Sequence, residues 1–361
     1  MSSNKSKENR ENKSKEDKSS NKEERKTLVL PVSGGSFPVQ LAILCQLFDI
    51  NYHPDITLGS SGGNVCSYVS LAGNWTSYGV IRISKMINSN MFVSSWMPPD
   101  FDFLPSRILG YFRGSFYDSG SGTNSFFTNF FTKQTVMRDE IWTGTVNRKL
   151  QKSQLFCNTS QEKSKLDISN FCPNISASLD PIYLSGDLYK ISGACSASAS
   201  IPIYVPEKIV DNVSYVDGGV MYASPLSTLK NCLGKCHIIY VSSFDTENGK
   251  AVGFDGYTDI AQVGKTTFSE MSQSLCYQDR LAGIELVKKN KPCKYKTIEK
   301  LNAEKLKEVI KKTEKYKYSM IELFPLGDIC PLDLASFSGS DVISMMEQVT
   351  KDGFGARIWK R

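Results

Sequence analysis

Short apolar runs of strand length alternate with longer helix-like stretches once the chain leaves a polar opening segment. The run at residues 27–32 is the first predicted strand. It ends in a small-residue turn, Ser33-Gly34-Gly35-Ser36, and the apolar density of 39–47 then reads as a helix. A second strand at 55–58 gives way at Gly59-Ser60-Ser61-Gly62-Gly63 to another helix from Asn64. Strand, glycine turn, helix, strand, serine turn, helix is the βαβα rhythm of a parallel sheet. Both turns then fall at the carboxyl ends of strands, where open α/β folds place their sites. Further strands are expected at 153–158, 182–184 and 237–242, and another runs into Asp217.

The rhythm is interrupted between about 75 and 150, where Pro98-Pro99, a glycine- and serine-rich stretch at 118–123 and many aromatics stand. Phe101, Phe103, Tyr111, Phe112, Phe116, Phe126, Phe127, Phe130 and Phe131 dominate this segment. It is expected to be a helical insertion whose aromatics form core, with an acyl-chain wall or a lipid-dipping surface as the sharper alternative. Near the end, 288–317 is lysine-rich with helical apolar spacing at Ile298, Leu301, Leu306, Val309 and Ile310. Interspersed glutamates make a solvated helix face its default reading, and a face for anionic lipid the other.

Composition narrows the class. The chain has 361 residues, 40% of them hydrophobic, which suits one globular α/β domain from 27 to 361. Residues 1–26 carry nine basic and six acidic side chains and no apolar residue except Met1, and so read as a disordered charged tail. That mixture of signs argues against a nucleic-acid arm. The start has no apolar stretch of signal-peptide type, and no run approaches the roughly 18 residues of a membrane span. The expectation is an intracellular protein, cytoplasmic or peripheral to a membrane, whose ten cysteines are reduced thiols. Cys232, Cys236 and His237 have no second ligand pair at finger spacing, so no metal or cofactor is expected.

The chemistry starts at Gly59-Ser60-Ser61-Gly62-Gly63, a Gly-x-Ser-x-Gly pattern in strand-turn-helix context. Such a turn lifts a serine hydroxyl out of a sheet, and its glycines allow backbone angles that other residues resist. A Ser-His-Asp triad needs a histidine, and the chain has two. His53 precedes the serine beside Pro54, and His237 opens an apolar strand. The order Ser61, Asp217, His237 fits an α/β-hydrolase triad, but the scarcity of histidine turns the search to an acid as base. Ser33-Gly34-Gly35-Ser36 as a nucleotide phosphate loop lacks both Gly-x-Gly-x-x-Gly and the Walker lysine.

A second element is Asp217-Gly218-Gly219 at the end of an apolar strand, just after Ala194-Cys195-Ser196-Ala197-Ser198-Ala199-Ser200-Ile201-Pro202. With the serine turn, this combination resembles the patatin-like lipid acyl hydrolases. Ser33 to Ser36 resembles that family's oxyanion loop, Gly59 to Gly63 its nucleophile elbow, and Ala194 to Pro202 its Ala-x-x-Ala-Ser-x-x-Ile-Pro segment. The closing stretch 337–353, a turn and an amphipathic helix ending at glycine, is similar to its last helix. The region 75–187 carries no counterpart. The chain also departs from the family's glycine loop: Ser36, Phe37 and Pro38 stand where a third glycine and a Lys or Arg followed by Gly are usual.

The resemblance implies a three-layer sandwich with a mostly parallel central sheet between helices. It implies a phospholipase A-type hydrolase that cleaves fatty-acyl esters of phospholipids without metal. Ser61 would be the nucleophile, Asp217 its general base, and the Gly34 and Gly35 amides the oxyanion donors. An aspartate of ordinary pKa is a weak base for a serine, so burial is expected to raise it. A protein that keeps the fold and binds lipid without turnover is the alternative from another class, suggested by the altered glycine loop.

Overall fold

The computed structural model describes residues 24–91, 93–94, 118–119, 122–171, 178–202, 204–245, 247, 260–289, 291–327, 329–334 and 336–361. The tail expectation for 1–26 lies almost wholly outside these residues, as do Phe101, Phe103, Tyr111, Phe112 and Phe116.

The strands are β1 (Arg25–Leu30), β2 (Ile56–Ser60), β3 (Val93–Ser94), β4 (Asp118–Ser119), β5 (Glu140–Asn147), β6 (Lys152–Cys157), β7 (Ile182–Tyr183), β8 (Lys208–Val210), β9 (Val213–Asp217), β10 (Cys236–Val241), β11 (Lys294–Leu301), β12 (Ser319–Pro325) and β13 (Phe354–Lys360). The helices are α1 (Phe37–Asp49), α2 (Gly62–Ala72), α3 (Ser77–Ser84), α4 (Gly122–Phe130), α5 (Lys133–Val136), α6 (Leu188–Ser198), α7 (Leu226–Leu229), α8 (Ile260–Lys288), α9 (Ala303–Thr313) and α10 (Gly339–Asp352).

One large sheet runs in the order β11-β13-β12-β10-β1-β2-β5-β6-β7. Its middle, β12-β10-β1-β2-β5, is parallel, and antiparallel strands close both flanks. Alternate side chains serve opposite faces, as strand geometry requires. Leu28, Leu30, Ile239, Val241, Ile321 and Leu323 pack on one side with α1, α2, α6 and α10. Val29, Ile238, Tyr240 and Met320 pack on the other with α7 and α8. A sheet covered on both faces explains why successive positions of its central strands are apolar, as in Leu28-Val29-Leu30 and Ile238-Ile239-Tyr240-Val241. Each fully buried Leu or Ile contributes about 1.5–3 kcal/mol.

Local signals place the helices. Proline near the start of α1 needs no N–H there, and its residues are buried almost all round, which marks a core helix. In α10, Ser338 and Asp341 form a reciprocal capping box, and Gly353 takes a φ of 89° at the end. The predicted last helix is therefore where the pattern put it.

Two expectations are corrected. The 288–317 stretch is not one helix: Ile298 and Leu301 belong to edge strand β11, and only Leu306, Val309 and Ile310 lie on α9. Pairing of Tyr295 to Ile298 with β13 overrides the helical spacing, and the lysines that alternate along β11 guard an open edge. The interruption at 75–150 also ends early, because β5 belongs to the central sheet. Of its aromatics, Phe126, Phe127 and Phe131 are buried core; Phe127 and Phe131 pack edge-on against Tyr68 of α2, and Phe126 packs against those two.

Candidate active site

The course of β5 brings the site together. Over Glu140–Gly144 it pairs with β2, ending at Gly144 opposite Ser60. Over Thr145–Asn147 it pairs with antiparallel β9, with Thr145 opposite Asp217. The last residue of β2 and the last residue of β9 therefore meet head-on along one strand, and Ser61 and Asp217 are adjacent across that meeting. Glycines make the approach possible. A Cβ on Gly218 would lie 2.3 Å from Ser60 Oγ and 2.6 Å from the Gly144 carbonyl oxygen.

Ser61 Oγ donates a hydrogen bond to Asp217 Oδ2 at 2.7 Å. Both side chains are closed off from solvent, with Ser61 at 2% and Asp217 at 0% exposure. The other carboxylate oxygen, Oδ1, accepts the Gly219 N–H at 2.7 Å. Burial pushes the Asp217 carboxyl up to about 7, although the bonds from Ser61 and Gly219 pull the other way. At that value the group is poised to take a proton near neutral pH.

Ser61 sits at φ 53° and ψ −130°, a strained conformation at the strand-to-helix junction. Such strain costs on the order of 1–3 kcal/mol and persists only where the surroundings enforce it. They do so here: a Cβ on Gly63 would meet the Leu30 carbonyl oxygen at 2.1 Å, and one on Gly59 would meet Ser67 Oγ at 2.7 Å. Only glycine lets α2 start this close to β1. Its N-terminus, carrying partial positive charge, opens directly after Ser61.

The glycine loop lies beside this elbow. Gly34–Ser36 forms a 3-10 turn, with Gly34 at φ 49°. The first hydrogen bond of the turn is Ser36 N–H to the Ser33 carbonyl. Gly34 and Gly35 thus carry N–H groups that have no acceptor within the turn. Ser33 Oγ stands 2.4 Å from where a Gly62 Cβ would be, which fixes the loop against the residue after Ser61. From below, Gln40 Nε2 donates to the carbonyls of Pro31 and Val241 at 2.9 and 3.0 Å. On the far side, the Gly35 carbonyl accepts the Leu332 N–H at 3.0 Å. Phe37, where a basic residue is usual, is buried edge-on against Phe337.

The structure thus brings Ser61 and Asp217 into contact and sets Gly34 and Gly35 next to the elbow. It keeps the histidines away. His237, second residue of β10, pairs in register with Lys26, at the amino edge of the sheet. From there to Ser61 is roughly 20 Å along the strand direction. Its Nδ1 is hydrogen-bonded to Ser319 Oγ at 2.8 Å, while His53 packs on Trp75. The triad Ser61, Asp217, His237 is therefore ruled out by position. Sequence reasoning placed Ser198 only within the Ala194 to Pro202 segment, with no role of its own, and did not single out Gln40, Gly144 or Leu332, because their relation to the elbow exists only in three dimensions.

The chain has counterparts among known proteins. The profile of the family described as "Patatin-like phospholipase" matches residues 33–230, more than half of the chain. The chain belongs to the patatin-like phospholipase family. Members of that family are hydrolases of lipid esters, so lipid acyl hydrolysis is the activity that membership carries. The matched span begins at the glycine loop and includes the elbow and Asp217-Gly218-Gly219. Among solved structures, VipD from Legionella pneumophila is similar over 90% of this chain and 67% of that one, at 11% identity and a TM-score of 0.32, too slight a likeness to carry an argument. No curated protein matches this patatin-like chain. Among its described residues no helix is long and apolar enough to cross a membrane, and nine cysteines are free thiols.

Proposed function

We propose that this patatin-like protein is a phospholipase A-type hydrolase that cleaves fatty-acyl esters of phospholipids through Ser61 and Asp217. The observation that carries the reading is the buried hydrogen bond from Ser61 Oγ to Asp217 Oδ2, 2.7 Å long, on a strained strand-to-helix turn. Asp217 accepts the serine proton as Oγ attacks the ester carbonyl. The N–H groups of Gly34 and Gly35, with the positive end of α2, stabilise the tetrahedral oxyanion. The alcohol leaves as lysolipid with the proton from Asp217. The carboxylate then activates water, which releases the fatty acid and restores Ser61. Nothing in this cycle calls for a metal ion. Substrate arrives from a lipid surface, so peripheral membrane contact and an intracellular setting form part of the proposal, as does a single domain from 27 to 361 preceded by a charged tail.

A fluorophosphonate followed by peptide mapping tests the reading, together with fatty-acid release from phospholipid vesicles. Label on Ser61 and fatty acid released by the wild type are expected. Label elsewhere, or lipid binding with no release, would establish the silent lipid-binding alternative.

A further inference from the structure

We propose that Ser198 is a positioning residue that holds the nucleophile in its reactive conformation and couples it to the strand that aligns the base. This inference rests on the reading of Ser61 as nucleophile. Ser198 is the last residue of α6 and is fully buried. Its hydroxyl accepts the Ser61 N–H at 2.9 Å and donates to the Gly144 carbonyl at 2.6 Å. The oxygen accepts one bond and donates the other, so a single side chain bridges the elbow to β5. Gly144 is the β5 residue opposite Ser60, and its neighbour Thr145 is the one opposite Asp217. The backbone of the next segment is locked to the same frame, since Asp217 N–H donates to the Ser200 carbonyl at 3.0 Å.

The consequence is geometric. A serine at φ 53° relaxes toward ordinary backbone angles unless something holds its amide. The Ser61 carbonyl is held by the N–H groups of Asn64 and Val65 in the first turn of α2, and its amide is held by Ser198. Without that hydroxyl, a buried N–H and a buried C=O both lose a partner, and the low-energy response is to turn Ser61. Any such turn swings Oγ away from Asp217. The same bond also occupies the Ser61 N–H, which leaves oxyanion stabilisation to the amides of the glycine loop and the start of α2.

The test measures inactivation by a fluorophosphonate, in which Ser61 Oγ bonds to phosphorus, fluoride departs and Asp217 takes the proton. Ser198→Ala is expected to lower the maximal inactivation rate on the order of 10²-fold, with the half-saturating reagent concentration unchanged. Ser192→Ala is the control: Ser192 is equally buried on α6, but its hydroxyl bonds Asn124 Oδ1 at 2.5 Å, away from the elbow. It should inactivate as the wild type does. Should Ser198→Ala not fold, the near-isosteric Ser198→Cys decides, with a loss on the order of tenfold expected from its weaker hydrogen bonds. Wild-type inactivation rates in the folded Ser198 variant, or an equal loss in Ser192→Ala, overturn the proposal alone. A wild type that never labels at Ser61 takes down the hydrolase reading with it.

Discussion

Among the described residues two serine–aspartate hydrogen bonds are buried, and one of them has the surroundings of the proposed catalytic pair. Ser61 donates to Asp217 at 2.7 Å, and Ser224 donates to Asp279 at 2.5 Å. Burial pushes both carboxyls up to about 7. By pair chemistry alone they are alike. The difference lies in the backbone. Ser224 precedes Pro225 and is not among the residues with positive φ, and its oxygen also accepts the Leu226 N–H at 3.2 Å. Asp279 accepts the Ser227 N–H at 3.2 Å, so the pair fastens α8 to the start of α7. Ser61 instead stands on a strained turn between two glycine-rich segments whose amides lack acceptors within their own turns. A buried acid and a hydroxyl alone make a joint; the proposed nucleophile differs in its strained elbow beside the glycine loop.

Breaking each pair in turn gives the largest expected contrast. Ser61→Ala or Asp217→Ala should lower fatty-acid release by about 10⁴-fold. Ser224→Ala, compared at equal folded protein, should stay within about twofold, because Ser224 stands on no positive-φ turn and its bond to Asp279 only joins two helices. A reversed outcome would move the site to the second pair.

The loop that distinguishes the pairs can be damaged without touching either. A Cβ at Gly35 would lie 2.2 Å from the Leu332 carbonyl oxygen, so Gly35→Ala must displace the turn. Losing one oxyanion donor costs on the order of 10²–10³ in kcat. An unchanged kcat in a folded Gly35→Ala protein would show that this amide takes no part.

Acidity sharpens the comparison by a smaller factor. In the proposed cycle Asp217 acts as base only when ionised, and burial pushes its carboxyl up to about 7. Initial rates should therefore climb about tenfold per pH unit below 7 and level off above it. A profile already flat at pH 5 would assign the base to another group.

The smallest effect is on stability. The folded-state value of about 7 for Asp217 lies above the ordinary 3.8, so the fold binds this proton more tightly than the unfolded chain does. The stabilisation is complete below the ordinary value and is lost as pH rises through 7. Above pH 7 the buried charge costs on the order of 4 kcal/mol. Asp217→Asn should accordingly melt several degrees higher than wild type at pH 8 and no higher at acid pH. Thermal melts at both pH values check the sign.

Much of the site could be read from the chain because its signals are local. Gly59 to Gly63 and Asp217 to Gly219 each declare a tight turn at a strand end, and β1, β2, β6 and β10 each contain a short apolar-rich stretch. Parallel β12 and its antiparallel neighbour β13 were not legible. Glu322 in β12 and Arg357 in β13 are charges at fully buried positions, which a hydrophobic pattern cannot anticipate. They are tolerated because Arg357 Nη1 and Arg280 Nη1 each approach Glu322 Oε2 at 3.2 Å, with Asp245 and Glu247 completing the cluster. Removing one partner from such a group costs about 3–5 kcal/mol.

The sequence by itself determined the βαβα order, the two glycine turns and the residue types for acyl transfer, since each follows from the conformational limits of a few neighbouring residues. Tertiary structure decided which aspartate meets which serine. It did so through β5, whose two halves pair with β2 and β9 and so set Ser61 against Asp217. It also decided that Ser198 meets the elbow and that His237 faces the opposite edge, because contacts spanning 137 and 156 residues of chain obey sheet register and packing rather than local sequence.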